Sequence, residues 1–297
     1  MSKQKPAGPY ETVATVIAQE PAGAVAYCLT LECPEIARSA RPPQFFTISC
    51  HPLTGDGADG ISLDPLLRRP LGFYRLRPEK GEFDAVYQVV GRGTKLLATL
   101  KPGDRVRVLG PLGKYISPKD VNSQTVLLAG GGVGLPPLYS LAETLKDAGK
   151  EPIVIAGARR RETLIAPTVP RKLKRPVGGR REVQSLEPFA RSDIDSVVAL
   201  EEPEDGFFEG RITVPLKEYL EQDYEGGVEI VACGPPPMVR AIAGLAGEKS
   251  VKCAAIMESR MGCGIGACQT CAIKTTSGYR RVCVEGPVFD SKEIVWE

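Results

Sequence analysis

Apolar and polar positions alternate in short runs over the first third of the chain. Thr12–Ile17, Phe45–Ile48, Ala85–Val90 and Arg105–Leu109 are rich in β-branched and aromatic residues, with Gly and Pro between them. Such runs with closely spaced turns predict an all-β unit from Tyr10 to about Ile116, a closed antiparallel barrel. Turn-rich stretches interrupt it at Pro52–Gly60, expected as an exposed loop, and at Pro78–Gly81, and Gly110-Pro111-Leu112-Gly113 closes it. The pattern then changes. Thr125–Ala129 is a continuous apolar run of buried-strand length, and Leu138, Leu141, Ala142 and Leu145 follow on one face of a helix from about Leu138 to Ala148. Pro152–Ala156 and Val228–Ala232 repeat the buried-strand pattern, the latter with a second helix behind it. A parallel α/β sheet is therefore predicted for the middle of the chain. On this reading the molecule is multidomain, α/β plus β, divided into 10–118, 121–247 and a small C-terminal unit at 250–297.

Composition narrows the class without naming a function. The 297 residues suffice for two or three domains, and 42% hydrophobic with 25% charged residues is the balance of a soluble globular protein. A formal net charge of +2 gives no reason to expect nucleic acid. No apolar run approaches the ~18 residues of a membrane span. No apolar stretch follows the basic start Met1–Pro6, so no signal peptide is expected. Nine cysteines in such a chain point to a reducing, cytoplasmic setting where thiols stay available to metals. The only histidine, His51, has no ligand pattern around it and reads as a surface residue. Cys28, Cys33, Cys50 and Cys253 read as packing residues.

The chemistry concentrates near the C-terminus. Cys263, Cys268, Cys271 and Cys283 are spaced C-x4-C-x2-C-x11-C. That is the plant-type [2Fe–2S] arrangement, three thiolates from one tight loop and a fourth from a nearby segment. Gly262, Gly264, Gly266 and Ala267 crowd the loop, so backbone N–H groups can approach bridging sulfides. A zinc site is the rival, although structural zinc usually pairs two C-x2-4-C units. Unpaired core cysteines are the plain alternative. A cluster of this kind passes single electrons, which predicts a redox relay.

Three further segments carry phosphate-binding chemistry. Arg69 stands in Arg68-Arg69-Pro70-Leu71-Gly72, a guanidinium beside a rigid turn that suits a pyrophosphate. Gly91-Arg92-Gly93-Thr94 follows a strand and opens a short helix expected at Thr94–Leu97. Gly130-Gly131-Gly132-Val133-Gly134 joins a buried strand to a helix, the layout that offers free N–H groups to a diphosphate, though it is not G-x-G-x-x-G. Cys233 ends the strand Val228–Ala232 before Gly234-Pro235, at an edge where open α/β sheets bind ligands. Between the second and third of these strands, residues 159–181 hold nine Lys/Arg and one Glu. They read as a solvated charged loop, with a site for the 2′-phosphate of NADP as the alternative.

Taken together, the order of parts resembles the electron-transfer subunits of two-subunit, NAD-dependent dihydroorotate dehydrogenases, within the ferredoxin–NADP reductase superfamily. The resemblance runs from about Tyr10 to Phe289. It is carried by Leu67–Pro70, Tyr87–Leu97, Gly110–Gly113, Ala129–Gly134, Ala232–Pro235, Met257–Met261 with the cysteines, and Arg281–Phe289. It implies an FAD-binding antiparallel β-barrel, a nucleotide-binding parallel sheet and a [2Fe–2S] domain. Arg69, Pro70, Leu71 and Gly72 match the segment that lines the flavin and grips its phosphates. Val86, Tyr87 and Gln88 match a strand against the flavin, and Gly93 and Thr94 its pyrophosphate turn. Gly130, Gly131, Gly132 and Gly134 match the nicotinamide-dinucleotide phosphate loop, Cys233 the residue beside the nicotinamide, and the four cysteines the cluster ligands. The implied partner is an FMN-carrying catalytic subunit, two copies of each chain per assembly, with electrons passing from FMN through the cluster and FAD to NAD⁺ in pyrimidine biosynthesis. Gly72 departs from the usual Ser or Thr and removes a hydroxyl near flavin N5. Lys114-Tyr115 also differs, with Tyr115 placed to stack near the flavin. A reductase of the same build serving a glutamate-synthase-like or hydrogenase-like complex remains open, as does a metal-binding or regulatory protein that has kept the fold.

Overall fold

The computed structural model describes residues 9–24, 26–53 and 64–296, so most of the stretch expected as an exposed loop at 52–60 lies outside the described residues. Seven strands make the front sheet: β1 (Tyr10–Pro21), β2 (Ala26–Glu32), β3 (Phe45–Ile48), β4 (Arg69–Gly72), β5 (Arg75–Arg77), β6 (Glu82–Gln88) and β7 (Arg105–Leu112). Their order is β4-β3-β7-β1-β2-β6-β5, and every pair is antiparallel. The edges β4 and β5 are not paired with each other, so the sheet curls into a half-barrel and does not close. Its inner face is filled by Phe46, Phe73 and Phe83, whose ring centroids lie 4.9–5.1 Å apart. Two short helices flank the sheet, α1 (Pro34–Ser39) and α2 (Arg92–Leu97). α2 begins two residues before Thr94 because the Thr94 hydroxyl accepts the Gly91 N–H at 3.1 Å, a side-chain cap on the first turn.

The second sheet contains β8 (Thr125–Gly131) and β9 (Glu151–Ala158). The chain then forms a separate hairpin, β10 (Thr168–Val177) and β11 (Arg180–Leu186), before returning to the sheet with β12 (Asp195–Leu200), β13 (Phe208–Glu209), β14 (Val228–Cys233) and β15 (Lys252–Ile256). A second two-stranded piece, β16 (Ala272–Thr275) with β17 (Gly278–Arg281), precedes the last strand, β18 (Val288–Asp290). The main order is β13-β12-β9-β8-β14-β15-β18, parallel throughout except for β18. Covering helices are α3 (Leu135–Asp147), α4 (Glu187–Arg191), α5 (Thr213–Leu220) and α6 (Pro236–Glu248). α3 starts three residues before Leu138 because Pro136 and Pro137 occupy its first turn, where the missing N–H groups cost nothing.

Alternation along each buried strand divides the core. Leu128, Val154 and Val198 pack with Leu138, Leu141 and Leu145 of α3, while Leu127, Ile155 and Ile230 pack with Leu216, Tyr219, Val239 and Ile242 of α5 and α6. Each such aliphatic side chain contributes about 1.5–3 kcal/mol by leaving water. The second cluster also takes in Phe45, Leu109 and Leu112 from the front sheet and Met261, Cys271, Val282 and Cys283 from the C-terminal segment. One apolar body therefore joins all three parts. β15 and β18 extend the parallel sheet past residue 250, so the segment that carries the cysteines is also built into that sheet.

The basic stretch 159–181 is not a solvated loop. Leu173, Val177 and Val183 are buried, and Gly178 and Gly179, both at positive φ, form the two-residue turn of a β-hairpin. Arg171 and Lys174 pair with Asp193 at 2.9 and 2.6 Å, and Arg175 and Arg180 lie over the Tyr224 and Phe208 rings.

Candidate functional site

The first site lies where β4 meets the start of α2. The Arg68 guanidinium is engaged by Glu11. Arg69 is half-buried, donates to the Leu67 carbonyl, and pairs with no carboxylate among the described residues. Its guanidinium lies over Gly93. A cation with no counter-ion, set against a bare backbone, fits a diphosphate. The structure thus brings Arg69 and the Gly93-Thr94 turn together. Pro70 and Gln88 are half-buried, and Val86 is buried on the face of β6 away from the front core. Leu71 and Tyr87 point into that core, and the Tyr87 hydroxyl donates to Gln19 at 2.8 Å. Two residues before Val86 on the same strand, Asp84 is buried and held by Arg77 at 2.6 and 2.8 Å and by the Thr30 hydroxyl at 2.8 Å. Tyr115 stays exposed. His51 Nε2–H donates to the Asp64 carbonyl at 2.8 Å, and His51 takes part in no cluster among the described residues.

The second site is the C-terminal edge of β8 and β14. Cys233 pairs with Gly130 in parallel register, and the Gly134 backbone presses on Cys233, where a Cβ would stand 2.5 Å from the Cys233 carbonyl carbon. Cys233 is 1% exposed. Burial pushes its thiol well above the ordinary range, and the neighbouring Glu258 carboxylate pushes it further. Glu258 keeps exposed surface, yet loss of hydration around its carboxyl raises its own pKa. It follows β15, whose Ile256 is in register with Cys233, and lies in the Met257–Met261 stretch of the family resemblance, which assigned it no role. Gly72 of β4 meets Pro137 of α3, so the strand that carries Arg69 and the helix behind the glycine loop touch.

The third site is the cysteine loop. Cys263 and Cys268 face each other, each backbone N–H donating to the other's sulfur at 3.4 Å. Cys271 and Cys283 are buried with sulfurs 3.3 Å apart, far beyond the roughly 2.05 Å of a disulfide. The Thr270 hydroxyl donates to Cys268 Sγ at 3.3 Å. This bond, with backbone N–H donors, draws the exposed Cys268 down to about 6, favouring the thiolate. Arg281 braces the loop by donating to the Gly266 carbonyl at 3.0 Å while pairing with Glu285 at 3.0 Å. Among the described residues no three Cys, His, Asp or Glu side chains gather around a single ion position. Four thiols arranged as two pairs fit a two-iron cluster better than one tetrahedral zinc. The loop rests on the front sheet: a Cβ on Gly264 would stand 3.1 Å from Leu112 Cδ1 and 3.6 Å from Thr47 Cγ2.

Comparison with known proteins bears on this arrangement. The iron-sulfur cluster binding domain of dihydroorotate dehydrogenase B matches residues 258–295. The dihydroorotate dehydrogenase B (NAD(+)) electron transfer subunit of Desulforamulus reducens is 32% identical over 91% of this chain and 93% of its own length. That of Bacillus cereus is 35% identical over 91% and 92%. The chain belongs to the family of dihydroorotate dehydrogenase B electron transfer subunits. Among solved structures, an NADH-dependent reduced ferredoxin-NADP oxidoreductase studied for flavin-based electron bifurcation superposes with a TM-score of 0.77 at 26% identity, covering 96% of this chain and 90% of that one. The cytochrome b5 reductase domain of Ulva prolifera nitrate reductase, at 19% identity and TM-score 0.58 over 81% and 93%, shares the fold. The family's architecture is therefore a reductase fold of curled antiparallel sheet and parallel sheet, with an iron–sulfur segment at the C-terminus. No helix among the described residues is long and apolar enough to cross a membrane.

Proposed function

We propose that this chain carries electrons between an FMN-containing dihydroorotate dehydrogenase subunit and NAD⁺, in an assembly with two copies of each chain, in the cytoplasmic synthesis of pyrimidines. Nine free cysteines suit that reducing compartment. The observation that carries the reading is the seating of the cysteine loop on the outer face of the flavin sheet, at Leu112 and Thr47, with the Gly72–Pro137 contact joining that sheet to the nicotinamide side. All three redox positions then lie in one packed body.

FAD, when bound, supplies the exchange between two-electron hydride transfer and the one-electron steps of a plant-type cluster, whose potential in ferredoxins is near roughly −400 mV. The protein's residues bind and orient. Arg69 and the Gly93-Thr94 turn hold the flavin diphosphate, with Pro70, Leu71, Gly72, Val86, Tyr87 and Gln88 forming the surrounding strands. Gly130, Gly131, Gly132 and Gly134 offer backbone to the NAD diphosphate, and Cys233 sets the ring side of the cleft. Cys263 with Cys268, and Cys271 with Cys283, each hold one iron. These assignments divide the chain into a flavin unit at 10–118, a nicotinamide unit at 121–247 and a cluster unit at 250–297, the last sharing the parallel sheet through β15 and β18.

Co-expression with an FMN dihydroorotate dehydrogenase tests the reading. The two chains should co-purify, and the complex should reduce NAD⁺ with dihydroorotate. A chain that is rapidly reduced by NADH yet neither binds that subunit nor supports the coupled reaction would favour a second reading, a reductase subunit for another redox complex. The 26% identity to a ferredoxin-NADP oxidoreductase over 96% of this chain supports that alternative.

A further inference from the structure

The cysteine loop sits on a patch of the front sheet that a shift in strand register creates. Phe45 of β3 pairs with Leu112 of β7, but Thr47 pairs with Leu109, so β7 carries one extra residue over this stretch. Leu109 and Leu112 are three residues apart and would face opposite sides of a regular strand. The bulge turns both outward, and Gly264 of the cysteine loop packs on both. A Cβ at Gly264 would stand 3.1 Å from Leu112 Cδ1 and 3.5 Å from Leu109 Cδ2. Thr47 completes the patch, its Cγ2 3.6 Å from the same point. The neighbours of Thr47 on β3 divide in the same way: Phe46 and Ile48 pack in the front core, whereas Phe45, Leu109 and Leu112 share an apolar cluster with Cys271 and Cys283.

A hydroxyl is out of place on such a patch. Thr47 is 2% exposed, and its Oγ1 has no hydrogen-bond partner among the described residues. A buried hydroxyl without a partner destabilises a fold, and Val would fill the same space without that cost. The hydroxyl therefore answers a group bound beside it. Phe45, Leu109 and Leu112 offer no acceptor, but Gly264 directly follows Cys263, a proposed cluster ligand. Thiolates and bridging sulfides are acceptors, and hydrogen bonds to the sulfurs are among the factors that set a cluster's potential.

We propose that the Thr47 hydroxyl donates a hydrogen bond to a sulfur of the [2Fe–2S] cluster, on the side that faces the front sheet, and raises the cluster's reduction potential. Reduction adds one electron and breaks no bond, and the electron comes from the flavin or the partner of the proposed relay. The added negative charge is shared by the sulfurs, so a donor to sulfur favours the reduced form. Pro70, opposite Thr47 in the β3–β4 register, belongs to the proposed flavin segment, so the hydroxyl stands between the two redox positions. The inference rests on the proposed seating of the cluster on Cys263, Cys268, Cys271 and Cys283.

The test uses the holoprotein purified without oxygen, with Thr47→Val, which removes the hydroxyl and keeps the shape, and Thr47→Ser, which keeps the hydroxyl. Titration with dithionite, followed by electron paramagnetic resonance for the cluster and by absorbance for the flavin, gives both potentials. Thr47→Val should shift the cluster's equilibrium toward the oxidised form by about tenfold, which for one electron is about 59 mV. The flavin potential should not move, and Thr47→Ser should stay with the parent. Electron–nuclear double resonance of the reduced cluster, in ordinary and heavy water, should show an exchangeable proton coupling that Thr47→Val lacks. Should Thr47→Val fail to hold the cluster, Thr47→Ser against Thr47→Ala carries the same comparison. An unmoved cluster potential overturns the inference. So does a shift confined to the flavin, which would assign the hydroxyl to that cofactor. Cys263→Ser separates these failures from failure of the ligand assignment. An unchanged cluster resonance in Cys263→Ser would mean that the loop does not hold the iron, whereas a changed one, with the potential fixed in Thr47→Val, removes only the role of Thr47.

Discussion

Arg69 and Gly93 are locked together: a Cβ on residue 93 would stand 2.5 Å from Arg69 Cζ. The two residues come from β4 and α2, which meet only because the front sheet curls. Their contact leaves the guanidinium with one open side and no carboxylate partner among the described residues.

Two substitutions at this contact should have the same effect by different routes. Arg69→Ala removes the proposed charge-assisted phosphate contact, of roughly 1.5–3 kcal/mol, and Gly93→Ala pushes the guanidinium out of place. Each should weaken FAD retention by about tenfold or more while the cluster absorbance persists. Dialysis followed by flavin fluorescence measures this. If both variants hold flavin as the parent does, the diphosphate lies elsewhere.

The cluster pairing gives a second expectation. Protein purified without oxygen should contain two irons and two acid-labile sulfides per chain, and Arg281→Ala should make the cluster more labile to chelators. Arg281 bridges Gly266, in the loop of Cys263 and Cys268, to Glu285 beside Cys283, so its loss frees one half of the ligand set from the other. A single zinc without sulfide would refute the assignment.

Sequence made the strand runs, the glycine loop and the cysteine spacing legible because each obeys a local rule: period-two alternation, backbone exposure before a helix, ligand spacing. The hairpin at 168–186 was hidden under its charges. Gly178-Gly179 was the available signal, but the nine Lys/Arg of 159–181, six of them in the hairpin, suggested solvent, whereas Asp193 and Asp195 supply the counter-charges from a different element. The open edge of the barrel and the approach of Glu258 to Cys233 depend on contacts between distant strands, and no local pattern encodes those.

Cys233 should affect one half-reaction only. It is buried against the Gly134 backbone; in the proposed function it sets the ring side of the nicotinamide cleft, where small displacements are costly to hydride transfer. Cys233→Ala should slow flavin reduction by NADH in stopped-flow and leave both cofactor spectra unchanged. Its thiol pKa is raised by burial and then by Glu258, so the thiol stays protonated from pH 6 to 8.5 and the defect should be constant over that window. Cys271→Ser should do the reverse, sparing NADH-to-flavin transfer and blocking exchange with the partner. A wild-type reduction rate in Cys233→Ala would reduce that residue to core packing.

Gly72 ties β4 to the first turn of α3, and its substitution should cost stability. A Cβ there would stand 2.6 Å from Pro137 Cγ, closer than packed atoms come, and the ring that must yield is fixed in the first turn of α3 next to the phosphate loop. Restoring the hydroxyl with Gly72→Ser should therefore destabilise the holoprotein by about 1–3 kcal/mol, the usual range for overpacking. At about 2–4 °C per kcal/mol for a domain of 150–250 residues, that is a fall of several degrees in Tm. Pro137→Ala opens the space, so the double variant Gly72→Ser/Pro137→Ala should recover more stability than the separate effects would give, a coupling expected only of residues in contact. Thermal unfolding of the four proteins in the cycle measures it. Additive effects would mean that Pro137 does not exclude the side chain, and the absence of a hydroxyl at position 72 would need a reason other than space.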